Sequence, residues 1–145
     1  YEAGLANYPD IALGAHPYSW GNALDTRCCD PVPDRSWDDD PHFFFLENIE
    51  ALRQIALQYG HDVEIWGTEF GWATYDGLGA EAPQGFFNYV TEDLQAQYTI
   101  NALDILQNSG EYSYVGTMIL WNLNFAVIPG AVAVHPRAHA GVNRP

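Results

Sequence analysis

The stretch Val63–Trp72, VEIWGTEFGW, decides how this sequence is read. Its first half alternates and is rich in β-branched and aromatic residues, which predicts a strand. Glu69 falls where that strand should end, because Gly71 and the TYDGLG that follows are turn chemistry. A carboxylate at a buried strand end is costly unless it is hydrogen-bonded or takes part in chemistry. Taken alone, such a glutamate is most simply a satisfied structural residue, so the rest of the chain must decide between the two.

The chain has 145 residues, which allows one modest domain. Nearly half the residues are apolar and 14% are aromatic, enough to bury a core. The formal charge of −14 argues against a nucleic-acid partner and against an anionic membrane surface. All five basic residues are arginine. No apolar run approaches the ~20 residues of a membrane span. The first residue is Tyr1 and no signal-peptide pattern follows it, so the start reads as a cut. Cys28 and Cys29 are adjacent; a vicinal disulfide is strained, and the expectation is two thiols or pairing outside this chain.

Strand-like segments recur at IALGAHPYSW from Ile11, VEIWGTEFGW from Val63 and VGTMILWNLNF from Val115, with starts 52 residues apart both times. Helical periodicity fills the gaps. From Phe43 to Tyr59, Phe45, Ile49, Leu52, Ala56 and Tyr59 share one face, with Asp40-Pro41 as a start signal and Gly60 as a stop. From Thr91 to Asn108, Leu94, Tyr98, Ala102, Ile105 and Leu106 do the same, with Thr91 as cap and Gly110 beyond the end. Strand, long loop, helix, short turn, strand is the βαβ pattern of a parallel sheet. The long connections follow strands, and the conspicuous residues (His16, Tyr18, Glu69, Trp72, Trp121, Asn122) stand at strand ends. A (β/α)8 barrel carries its active site there.

Side-chain parity gives the same expectation. Ala12, Gly14, His16 and Tyr18 share one face and Ile11, Leu13 and Ala15 the other; in the next strand Ile65, Gly67 and Glu69 share a face. The small and polar sets suit the inner wall of a barrel, and the aliphatic set the layer facing the helices. A full barrel takes about 250 residues. The predicted fold class is therefore α/β, the C-terminal part of a (β/α)8 TIM barrel, about strands 6–8, over residues 1–130, with a helix remnant at YEAGLANY.

HPY at one strand end, TEFGW at the next and LWNLNF on the last resemble the C-terminal portion of a clan A glycoside hydrolase, most nearly the cellulase-like family 5 and family 39 groups. The resemblance covers roughly Tyr8 to Pro129. It implies a retaining hydrolase of β-glycosidic bonds, with Glu69 as nucleophile and Tyr18 as the phenol that holds that carboxylate ionised and aimed. His16 would line the sugar site and Trp121 would be the platform under the sugar. Trp72 and Trp37 stand between further sugar contact and packing. It implies a carbohydrate substrate and no cofactor. Extracellular location is favoured by substrate class alone, and the sequence does not fix the sugar, the linkage or the oligomeric state.

The second carboxyl group of such a mechanism is missing. In the family the acid/base is a Glu following Asn at the end of strand four, and no Asn-Glu occurs here. The expectation is that it lies upstream of Tyr1 and that this chain alone is inactive. Up to Gly130 there are 19 acids and three Arg, a charge of −16; from Ala131 there are two Arg, two His and no acid, a charge of +2. Residues 131–145 are thus atypical, read either in a shifted frame or as an ordinary terminus. Two other functions stand beside the hydrolase. A metal hydrolase is disfavoured because no His pair has ligand spacing on a helix and HExxH is absent. A degenerate, non-catalytic sugar-binding module would keep the tryptophans without needing Glu69. Three barrel strands would also leave open edges and an uncovered face, so poor solubility of the isolated chain is expected.

Overall fold

The computed structural model describes residues 1–29, 38–76 and 90–121. Trp37, Asn122 and the tail from 131 to 145 lie outside the described residues. Strand β1 (Leu13–Ala15) is followed by helix α1 (Phe45–Gln58), strand β2 (Ile65–Phe70), helix α2 (Glu92–Asn108) and strand β3 (Val115–Leu120). The three strands are parallel and lie in chain order, β1-β2-β3. Right-handed crossovers stepping in one direction place successive helices on the same side of a sheet. The buried residues agree: Phe45, Leu46 and Ile49 of α1 and Ala102 and Leu106 of α2 join Ala15, Ile65 and Phe70 of the sheet in one core. These elements form a small α/β unit with two helices on one face of a three-stranded parallel sheet.

The helices start and stop where the local chemistry directs. Asp40 is extended and its side chain accepts the His42 backbone N–H, which caps a 3-10 turn, Pro41–Phe43, ahead of α1. Those two hydrogen bonds, first from the backbone and then from the ring of His42, hold the Asp40 carboxyl below its usual range. Gly60 ends the helix region with φ 68, and its N–H returns to Leu57. Thr91 caps α2 by accepting the Leu94 N–H at 3.2 Å, and Glu92 and Asp93 follow in the first turn, where the helix dipole favours acids. At the N-terminus only a single 3-10 turn, Leu5–Asn7, occupies the predicted helix remnant. Tyr1 instead stacks on Tyr59, the one outlying residue of the predicted α1 face, and donates or accepts at His61 Nδ1, 2.8 Å away.

The parity expected for β2 is corrected by its register. Leu13 pairs with Ile65 and Ala15 with Gly67, so Ile65 and Gly67 lie on the helix side and not with Gly14 and His16. Ile65 is fully buried in the core, while Trp66 is 40% exposed on the open face. Five residues further, strict alternation would turn Phe70 outward, yet Phe70 is buried too. The reason is a register shift: from Gly67 to Phe70, β2 uses three steps where β3, from Met118 to Leu120, uses two. One extra residue in a strand is a bulge, which re-aims the side chains around it. It delivers Glu69 to the open face and returns Phe70 to the core.

Two further clusters fix the connections. Arg27, in the β1–α1 loop, makes a bidentate pair with Glu50 of α1 at 2.6 and 2.8 Å, and Tyr112 donates to the same Glu50 at 2.7 Å. The neighbouring Cys28 N–H donates to the Glu47 carboxylate. Burial, and then the hydrogen bond to Glu50, push the Tyr112 phenol up to about 12. An unfolded tyrosine ionises near 10. The stability this contributes is whole below pH 10 and is lost as pH rises toward 12, because only unfolding releases the proton in that window. Unfolding free energy measured by urea titration should therefore fall across this range, with a shallower slope in Tyr112→Phe.

Gly71, after β2, is a position where only glycine fits. Its φ is 151, and an added Cβ would lie 2.6 Å from the backbone oxygen of Trp121. Gly71→Ala should destabilise the chain by about 1–3 kcal/mol, read as a lower urea midpoint at unchanged slope.

Candidate functional site

The site is assembled at the C-terminal ends of β1 and β2. Beyond Ala15 the chain runs His16-Pro17-Tyr18, and the Tyr18 N–H donates back to His16 O at 2.8 Å across Pro17. Pro17 is buried, so this short turn is seated in the protein while His16 and Tyr18 stand out from it. Thr68 Oγ1 donates to Ala15 O at 3.3 Å, binding the end of β1 to the bulged part of β2.

Glu69 receives both side chains on one oxygen. The Tyr18 hydroxyl donates to Oε2 at 3.0 Å, and His16 Nδ1 lies 3.5 Å from the same atom. The first is a hydrogen bond. The second is longer than a good N–H···O bond and acts chiefly as an electrostatic contact when the ring is protonated. The two rings meet edge to face, 6.4 Å between centroids. Burial raises the Tyr18 phenol far above its ordinary value, and the hydrogen bond to Glu69 and that residue's charge raise it further. Tyr18 is thus a proton-bearing donor throughout the neutral range. The Glu69 side chain is 29% exposed and His16 55%, so the carboxylate is reachable from solvent. A held, accessible carboxylate with one oxygen engaged by neither neighbour is suited to nucleophilic attack or to a salt contact with a ligand.

The tryptophans divide. Trp121 follows β3 directly, its N–H donates to Phe70 O at 2.8 Å, and it is 50% exposed. That bond places its backbone beside the residue next to Glu69. Trp72, which the sequence left between sugar contact and packing, is a core residue. It is 3% exposed, stacked on Phe45 at 5.6 Å, edge-on to Tyr98, with its indole N–H on Asn22 O at 2.9 Å. Gly71 turns the chain just before it, and the helix layer closes over both sides of its ring. Sequence reading did not single out Ser19, Trp20 or Asn22, which form the turn above the site; the SWGN string, a turn signal on a strand end, was the available clue.

A cleft of about 550 Å³ lies at the opposite ends of the strands, between Pro9–Ala12 and Asp62–Trp66. Two of its three acids have partners: Asp62 binds Arg53 and Glu64 accepts from the Trp66 indole, while Asp10 lines the cleft as well. Among the described residues no cluster of three or more His, Cys, Asp or Glu is arranged to hold a metal ion, and no helix is long and apolar enough to cross a membrane.

No family model, curated protein or solved structure matches the chain.

The geometry has a direct optical test. Alkaline titration followed by tyrosinate absorbance should leave at least Tyr18 and Tyr112 protonated between pH 9.5 and 11, and Tyr18→Phe should not change the number of phenolates that form in that range. If the substitution removes one of the phenols that titrate in this range, Tyr18 is not held by Glu69.

Proposed function

We propose that this chain is about strands 6–8 of a (β/α)8 retaining glycoside hydrolase that cleaves β-glycosidic bonds of an oligo- or polysaccharide, with Glu69 as its nucleophile. The observation that carries the reading is the Tyr18–Glu69 hydrogen bond at 3.0 Å, formed at the C-terminal ends of parallel strands. The resemblance of HPY, TEFGW and LWNLNF to clan A enzymes supplies the reaction class.

In that reaction a Glu69 oxygen attacks the anomeric carbon while the bond to the leaving oxygen breaks, giving a glycosyl ester. Water then attacks the same carbon, the ester bond breaks, and the carboxylate is restored. Tyr18 holds and aims the carboxylate by donating to its Oε2. His16 adds positive charge beside the same oxygen when protonated, and Trp121 offers an aromatic face to the apolar side of a sugar. Proton transfer to the leaving oxygen needs a second carboxyl about 5–5.5 Å away. The reading assigns that role to a glutamate of a preceding segment.

An activated sugar tests Glu69 without that acid, because fluoride departs unprotonated. The chain should be incubated with 2-deoxy-2-fluoro-β-glucosyl, -mannosyl and -xylosyl fluorides and its mass measured. The expected result is one glycosyl adduct, mapped to the peptide containing Glu69 and absent in Glu69→Gln. Tyr18→Phe should label about 10–100-fold more slowly, the loss of one hydrogen bond to a charged group. An unlabelled chain, or a label elsewhere, rules out Glu69 as the nucleophile and leaves a sugar-binding module.

A further inference from the structure

Among the described residues, three side-chain hydrogen bonds join the segment 15–22, at the end of β1, to the segment 68–72, at the end of β2. Thr68 Oγ1 donates to Ala15 O at 3.3 Å, Tyr18 to Glu69 Oε2 at 3.0 Å, and the Trp72 indole N–H to Asn22 O at 2.9 Å. The pair that carries the chemistry is the middle one. A contact flanked on both sides by bonds between the same two segments keeps its geometry only while both flanks hold, and small misplacements of a reacting group are costly.

The upper flank is built from the core. The Trp72 ring is set by both helices: it stacks on Phe45 of α1 and stands edge-on to Tyr98 of α2, each at 5.6 Å, and Gln95 of α2 donates to its backbone oxygen. A buried indole N–H needs an acceptor. Here the acceptor is a carbonyl of the turn that follows Tyr18. Asn22 O also takes Ser19 Oγ at 3.1 Å, and the Asn22 N–H returns to Ser19 O at 2.8 Å. Ser19 is fully buried and adjoins Tyr18 in the chain. Asn22 Nδ2 fastens the same turn to Phe43 O at 3.0 Å. The phenol of Tyr18 therefore extends from a turn whose height above Glu69 is set by where Trp72 sits in the helix layer.

We propose that Trp72 is a positioning residue for the Tyr18–Glu69 pair: its indole N–H, acting through Asn22 and Ser19, holds the turn at the place where the phenol meets the carboxylate. Trp72 is buried and touches no substrate. The inference rests on the hydrolase reading for what the pair does, and on the hydrogen bonds alone for how the pair is held.

The test is a double-mutant cycle on the 145-residue chain, Trp72→Phe with Tyr18→Phe. It is read by the rate of Glu69 labelling with the fluoro-sugar that reacts best, and by the number of phenols that ionise in the alkaline titration. Trp72→Phe keeps an aromatic ring in the core and removes the N–H. It should slow labelling about tenfold, and no more than Tyr18→Phe does. In the Tyr18→Phe background it should change the rate less than about twofold, because the contact it supports is already gone. It should also let one further phenol ionise in the ordinary tyrosine range, and that phenol should be absent from the double variant. Equal slowing in both backgrounds with no further phenol overturns the inference and makes Trp72 a core residue alone. A Trp72→Phe chain that matches wild type in both readouts overturns it as well. If the wild-type chain takes no label, the hydrolase reading falls and the phenol count alone decides the inference. If Trp72→Phe does not fold, replacement of Trp72 by 3-benzothienylalanine, which keeps the size of the ring and lacks the N–H, enters the same cycle with the same expected outcomes.

Discussion

The register of β2 is the constraint on which the other features depend. β2 is the only described strand bonded on both edges, so its side chains answer to two neighbours at once. Against β1 it keeps a plain parallel ladder, and against β3 it gains and loses a residue. A simple alternating strand that buries Ile65 and Gly67 would turn Glu69 into the core and Phe70 outward. The extra residue reverses both placements: the apolar ring goes into the core, and the carboxylate goes to the face where His16 and Tyr18 stand. Gly67 belongs to the same device, because a side chain there would collide with Met118 of β3.

The core and the site are joined by hydrogen bonds as well as by chain continuity. Trp72 sits among Phe45 and Tyr98, and its indole reaches up to Asn22 in the turn beyond Tyr18. Asn22 in turn binds the backbone ahead of α1. The position of the Tyr18 segment is thereby tied to the helix layer. Apolar burial supplies the bulk of the stabilisation in such a unit, and these few directional bonds set where the polar ends of the strands come to rest. The opposite ends carry an acidic cleft in which Asp62 and Glu64 are engaged by Arg53 and Trp66.

Much of the fold was legible in the residues. Thr91, Asp40 and Gly60 act locally, through their own side chains or backbone freedom, and the structure uses each where the sequence placed it. The helix faces were legible for the same reason: a 3.6-residue period is a property of the segment itself. The inward set of β2 was not, because parity is reset by a bulge and a bulge exists only relative to a neighbouring strand. The site was half legible. HPY and TEFGW named the tyrosine and the carboxylate that meet, whereas Trp72 looked like Trp121 in sequence and differs only in what closes over it. The residues of the SWGN turn were likewise open until their neighbours were in place.

What the sequence determined by itself is the order and type of the elements, the caps that bound them, and the supply of a carboxylate, a phenol and an imidazole to two adjacent strand ends. These follow from composition and short-range spacing. The tertiary structure alone decided which face Glu69 occupies, which oxygen its partners share, and which tryptophan is core and which is surface. Those outcomes turn on the alignment of segments some fifty residues apart, and no local interaction encodes such an alignment: it is set only when strands pair and helices close over them.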